Sequence, residues 1–180
     1  MLEKWEKAFD FMWNHANADN LYDNWDKWDV DKKMIWADEF YNKVFKNGYN
    51  NSKIYSQGAN ALLAESKTPT ADHFNSPRMS FWAMMDDYRE VITDYDGLKS
   101  IVGDLRTIIW VTPCENNLVK YSWQDGKIKI KELTFTKYDD IRWLDGNTGN
   151  YFSRKEGFPL KHLIPDFVTE YEKKLIEEFV

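Results

Sequence analysis

Thiol chemistry is nearly absent from this sequence: Cys114 is the single cysteine among 180 residues. That excludes an internal disulfide and any zinc site built on several thiolates. No run approaches the length of about 18 apolar residues that a membrane-spanning helix needs. The opening MLEKWEKAFDFMWNHANADN lacks the basic start, apolar stretch and small-residue cleavage site of a secretory leader. A cytoplasmic protein with no membrane partner is the expectation. Basic charge is short as well, with 24 Lys and Arg against 30 Asp and Glu and a net charge of −6. That argues against coating nucleic acid by electrostatics alone, which depends on Lys and Arg displacing counterions. The acidic excess sits in residues 1–66 and 162–180, whereas residues 67–161 hold 14 basic and 14 acidic side chains. A basic groove can still form in that balanced middle.

What the chain has in quantity is aromatic: nine Trp, ten Tyr and eleven Phe. A domain of this size cannot easily hide that many rings, so some are expected at a surface that stacks or binds. Trp5, Trp13, Trp25, Trp28 and Trp36 fall in a region of helical spacing, where they read as core or as the face that meets a protein partner. Apolar positions at Leu2, Trp5, Phe9, Met12 and Trp13 repeat every three or four residues, as an amphipathic helix requires. The same period runs through Met34, Ile35, Phe40, Tyr41, Val44 and Phe45 and stops at Gly48. A third helix is expected over Ser52 to Ala64. Residues 1–66 therefore read as a helical N-terminal region, with a boundary near Ser66.

Beyond Ser66, proline, threonine and β-branched residues replace the helical period. TPTADHF reads as a short strand, and Ser76 with Pro77 opens a helix expected to reach about Ile92. A short helix follows over Tyr95 to Leu105, and then the strand RTIIWV. Thr112, Pro113 and Glu115 form a capping box with proline at the first helical position. YSWQDGKIKIKELTF reads as a hairpin turning at Asp125-Gly126. Alternation there places Lys127, Lys129 and Lys131 on one strand face, suited to phosphates or to guarding a sheet edge. DGNTGNYFSRKEGF reads as loop, and a helix from Pro165 closes the chain with Phe167, Val168, Tyr171, Leu175 and Phe179 on one side.

The stretch KTPTADHFNSPR sets Asp72 beside His73 at a strand end, and TPCENNLVK follows the second strand with a capped helix. A carboxylate and an amide oxygen can hold a hard cation, and an imidazole titrating near neutrality can deprotonate water. Those are the parts that phosphodiester hydrolysis needs. TADHF and TPCENNLVK resemble the two halves of the HNH, or His-Me finger, nuclease family. Thr112, Glu115, Asn117 and Lys120 resemble the helix series in the nuclease domain of RNA-guided DNA-cutting effectors. The resemblance covers roughly residues 68–77 and 106–123.

It implies an α+β fold in residues 67–180: a ββα-metal finger with a helical insertion between its two strands, then the hairpin and C-terminal helix. It also implies that Asp72 and Asn117 hold Mg²⁺ or Mn²⁺ and that His73 is the general base. Lys120 would then reach a phosphate of the DNA substrate. Residue spacing alone does not choose between Asn116 and Asn117. Arg78, five residues after His73, is a further phosphate clamp or a surface ion pair. His15, His162 and Cys114 read as ordinary surface or packing residues. The expected activity is metal-dependent DNA cleavage by a phage or mobile-element enzyme, in a monomer or a homodimer. Two rivals stand beside it: a non-catalytic acidic interaction module, and an RNA- or structure-specific nuclease using the same residues.

Overall fold

Apolar residues spaced by three and four give the first helix, α1 (Lys4–Asn14), one buried side made of Trp5, Phe9, Met12 and Trp13. The computed structural model describes residues 1–14, 24–88, 95–118, 121–124, 127–130, 138–153, 157, 159–160 and 164–179. Helix α2 (Val30–Phe40) starts at Asp29, whose side chain accepts from the Lys32 amide, and widens into a π-type turn over Tyr41–Phe45. Gly48, at φ +87°, then reverses the chain into strand β1 (Asn50–Ser56).

Here the structure departs from the helix expected over Ser52 to Ala64. Residues 50–56 are extended, and helix α3 begins only at Gln57 (Gln57–Ala64). The physical reason lies outside the local sequence. β1 is the middle strand of the sheet, and the burial of Ile54 and Ser56 alternates with Tyr55 between neighbours far away in sequence. Ser56 ends the strand and caps α3, its hydroxyl accepting from the Ala59 amide at 2.9 Å.

Strand β2 (Thr70–His73), helix α4 (Pro77–Ala83) with a π-type turn over Met84–Tyr88, helix α5 (Tyr95–Leu105), strand β3 (Thr107–Val111) and the single-turn helix α6 (Pro113–Asn116) follow. The expected helix to Ile92 is thus regular only to Ala83, and residues 89–94 lie outside those described. Strands β4 (Tyr121–Gln124) and β5 (Lys127–Ile130) pair as the expected hairpin, and its Asp125-Gly126 turn lies outside the described residues. The segment expected as loop from Asp145 onward supplies the turn and second strand of a second hairpin, β6 (Arg142–Asp145) with β7 (Tyr151–Ser153). Its Gly- and Asn-rich residues are the turn. Helix α7 (Asp166–Phe179) packs against α4 and β5.

The architecture is α+β. The larger sheet runs β2-β3-β1-β6-β7, with β1 and β3 parallel and the other neighbours antiparallel. One apolar cluster runs from Trp5 through Phe40, Ile54, Phe81, Ile109 and Trp143 to Leu175. Core residues therefore come from both sides of Ser66.

Candidate active site

β2 is a strand because β3 offers it an antiparallel partner: Thr70 lies opposite Val111, Ala71 opposite Trp110, Asp72 opposite Ile109 and His73 opposite Ile108. Successive residues on a strand point to opposite faces, and Asp72 and His73 meet different surroundings. The Asp72 carboxylate accepts a hydrogen bond from the Tyr138 hydroxyl, whose ring packs edge-on to Trp143. The His73 ring packs edge-on to Tyr41 and Phe45, each 6.1 Å away between centroids. Its Nε2 is enclosed and has no hydrogen-bond partner. Burial is the main influence on this imidazole and pushes its pKa below the ordinary value of 6.5. Arg106 and Lys46 act in the same sense, while Asp72 and a hydrogen bond to the Phe45 backbone oppose them. Burial thus favours the neutral imidazole.

At the far end of β3, Thr112 and Glu115 form the expected capping box. The Thr112 hydroxyl accepts from the Glu115 amide at 3.2 Å, and the Glu115 carboxylate accepts from the Thr112 amide at 2.7 Å. The same carboxylate accepts from the Ser56 hydroxyl at 2.6 Å. Glu115 thereby ties together the helix starts that follow the two parallel strands β1 and β3. The junction is tight: a Cβ on Gly58 would stand 2.7 Å from Thr112 Cγ2. The fold uses Glu115 for capping.

α6 touches β2, and because Val111 lies opposite Thr70 it follows β3 at the Thr70 end of that strand, away from His73. Asn116 is the last residue of α6, and Asn117 is its C-cap, exposed at φ −80° and ψ 1°. Arg78 forms an ion pair with Asp38 at 2.8 Å and lies over the Tyr41 ring. Lys120 and Lys131 lie outside the described residues, as do the side chains of Lys127 and Lys129 on β5. His15 and His162 also lie outside them, and Cys114 is exposed and free. Trp5, Trp13 and Trp25 are core, leaving Trp28 and Trp36, stacked at 5.3 Å and partly buried, as the accessible part of the tryptophan-rich region. Among the described residues no three His, Cys, Asp or Glu gather as a metal cage, and no helix is long and apolar enough to cross a membrane.

Sequence reasoning missed Tyr138, the partner of Asp72 from 66 positions away. Nothing in its surroundings, TKYDD, signals that role. It also missed the pairing of Tyr55 with Trp110, stacked at 6.3 Å with 12° between ring planes. β-strand pairing alone brings those two rings together.

No family model matches the chain, and no solved structure matches it. Over 156 residues it is 25% identical to a protein of Cochliobolus lunatus described as Squalestatin tetraketide synthase clz2. The match covers 82% of this chain and spans 6% of that protein's length. A likeness of that kind fixes neither a family nor an activity.

Proposed function

We propose that this protein is a divalent-metal-dependent endonuclease that hydrolyses DNA phosphodiester bonds, with His73 as general base. One arrangement carries the reading. Asp72 and His73, with its unpartnered Nε2, lie on a strand whose antiparallel neighbour runs into a capped helical turn that touches that strand.

Mg²⁺ or Mn²⁺ is the ion that donors of these types would take. A carboxylate from Asp72 and an amide oxygen from Asn117, or from Asn116, are hard ligands, and such ions keep several waters. The Tyr138 hydrogen bond holds the Asp72 carboxylate as outer-sphere partners hold ligating carboxylates. When bound, the ion supplies charge stabilisation at the phosphate. In this reading His73, whose burial favours the neutral form, would take the proton of the attacking water at Nε2 once that enclosed atom is opened to solvent, and Asp72 and the asparagine would hold the cation. Lys120, Lys127, Lys129, Lys131 and Arg78 contribute phosphate contacts, Arg78 after release from its exposed pair with Asp38.

The test is cleavage of plasmid and oligonucleotide DNA in Mn²⁺ by the parent and by folded His73→Ala and Asp72→Ala. Loss of cleavage with retained Mn²⁺ binding in His73→Ala, and loss of Mn²⁺ binding in Asp72→Ala, support the proposal. Parental cleavage by His73→Ala removes it.

A second reading has its own observation. Enclosure of Nε2 between Tyr41 and Phe45 suits a packing histidine, and exposed Phe11 and Ile35 on the helical side suit a non-catalytic module that binds a protein. Absence of both Mn²⁺ binding and nucleic acid cleavage favours that reading. Cleavage confined to RNA or branched substrates moves the same site to another substrate.

A further inference from the structure

Strand pairing sets Tyr55 of β1 beside Trp110 of β3, with their rings nearly parallel. Trp110 is held in place by its indole N–H, which donates to Asn51 Oδ1 at 2.9 Å. After α3 the chain turns sharply at Ser66, in the left-handed region at φ 58°, with the Lys67 amide donating to the Leu62 carbonyl at 2.8 Å. That turn carries Ser66, Lys67, Thr68 and Pro69 across from the two rings. The result is a cavity of about 360 Å³, floored by Tyr55, Trp110 and Leu63 and rimmed by the other four.

The chemistry of this cavity is selective. Parallel aromatic rings offer a flat apolar surface, which takes another planar ring. The hydroxyls of Ser66 and Thr68 can donate and accept at a polar ring edge. Lys67 brings a cation, and its pair with Glu65 is well exposed, with side chains 64% and 61% accessible. Such a pair is weak enough to exchange for a phosphate. A planar heterocycle with a polar edge and an adjoining phosphate is a nucleotide. Stacking of bases on aromatic side chains beside a cation is how single strands are held without sequence preference. A base inside a duplex is already stacked and cannot enter. The cavity shares strand β3 with the candidate active site, Trp110 lying opposite Ala71, while alternation turns Asp72 to the other face of the sheet.

We propose that the Tyr55–Trp110 cavity binds an unstacked base of single-stranded DNA and so makes single-stranded or locally opened DNA the preferred substrate. The proposal rests on the nuclease reading for its biological use, but its test does not need cleavage. With EDTA present, anisotropy of a labelled oligo(dT) would be titrated with the full-length parent and with Trp110→Ala, Trp110→Phe and Tyr55→Leu. Expected are tighter binding of the single strand than of the matching duplex and a loss of about five- to a hundredfold in Trp110→Ala, the range of one stacked base. Trp110→Phe should stay within a few-fold of the parent. Should Trp110→Ala fail to fold, Tyr55→Leu carries the same expectation.

Unchanged affinity in the folded variants, equal affinity for duplex, no binding by the parent, or displacement of the oligonucleotide by a proline-rich peptide would overturn the proposal. Oligo(rU) bound in preference to oligo(dT) would overturn the assignment to DNA. The two proposals fail separately. His73-dependent cleavage with Trp110-independent binding removes only the cavity, and Trp110-dependent binding without metal-dependent cleavage removes only the nuclease.

Discussion

At the residue scale, His73 is where packing and chemistry compete. An enclosed nitrogen without a partner costs roughly 1–3 kcal/mol, which a phenyl ring among the same aromatic neighbours would not incur. His73→Phe removes that cost but also the hydrogen bond to the Phe45 backbone, so it is expected to unfold within about 1–2 kcal/mol of the parent while losing cleavage. An active His73→Phe, or one destabilised by several kcal/mol, would contradict both halves. Because burial lowers the His73 pKa, the acid limb of the cleavage rate is expected below the ordinary imidazole value of 6.5. A pH series of kcat/KM in Mn²⁺ checks this, and a limb above pH 7 would assign the base elsewhere. The Asp72-His73 pair was legible in the sequence because the two residues are neighbours. Tyr138 was not, because its bond to Asp72 exists only once distant segments have folded together.

At the scale of elements, Glu115 joins the starts of α3 and α6 through Ser56 and Thr112. Removing its carboxylate leaves the Ser56 hydroxyl and the Thr112 amide without their acceptor. Glu115→Ala is expected to lower unfolding stability by about 1–3 kcal/mol. Ser56→Ala in that background should cost less than in the parent, since the two side chains share a bond. Additive losses in urea denaturation would show that the link is not formed. Local chemistry made the cap at Thr112, the helix Tyr95–Leu105 and the strand after Arg106 readable from sequence. It hid β1, because Ser56 followed by Ala59, Leu62 and Leu63 is a good helix start, and the helical period extends backwards over residues 52–56. Only the distant partners β3 and β6 hold that stretch extended. The β6–β7 hairpin was hidden likewise, by strands of four and three residues around a glycine-rich turn.

At the scale of the whole molecule, polar links join the helical segments to one another and to the sheet. Asp86 accepts from Trp25 Nε1 at 2.7 Å and from the Tyr171 hydroxyl on α7 at 2.8 Å, and Lys174 pairs with Asp87 at 3.1 Å. At the other end, the Arg106 guanidinium lies 4.3 Å from the Trp5 ring centroid and donates to the Asn47 carbonyl at 3.1 Å. Burial first, then the charge of Asp86 and its hydrogen bond, raises the Tyr171 pKa far above 10. The hydrogen bond to Asp87 leads in raising that of Lys174. Both groups keep protons in the native state that the unfolded chain releases above about pH 10. Stability is therefore expected to be full below that pH and to fall as pH rises through it. Tyr171→Phe should flatten the fall in a series of urea midpoints, and an unchanged slope would contradict the assignment. The continuous core makes any such loosening a matter for the whole chain, so activity comparisons need variants of matched stability. The most direct measurement is the single-turnover rate of DNA cleavage in Mn²⁺ by parent and His73→Ala proteins with matching circular dichroism and melting temperature. The proposal predicts cleavage by the parent and a loss of about a hundredfold or more in the variant; equal rates, or no cleavage by either, would contradict it.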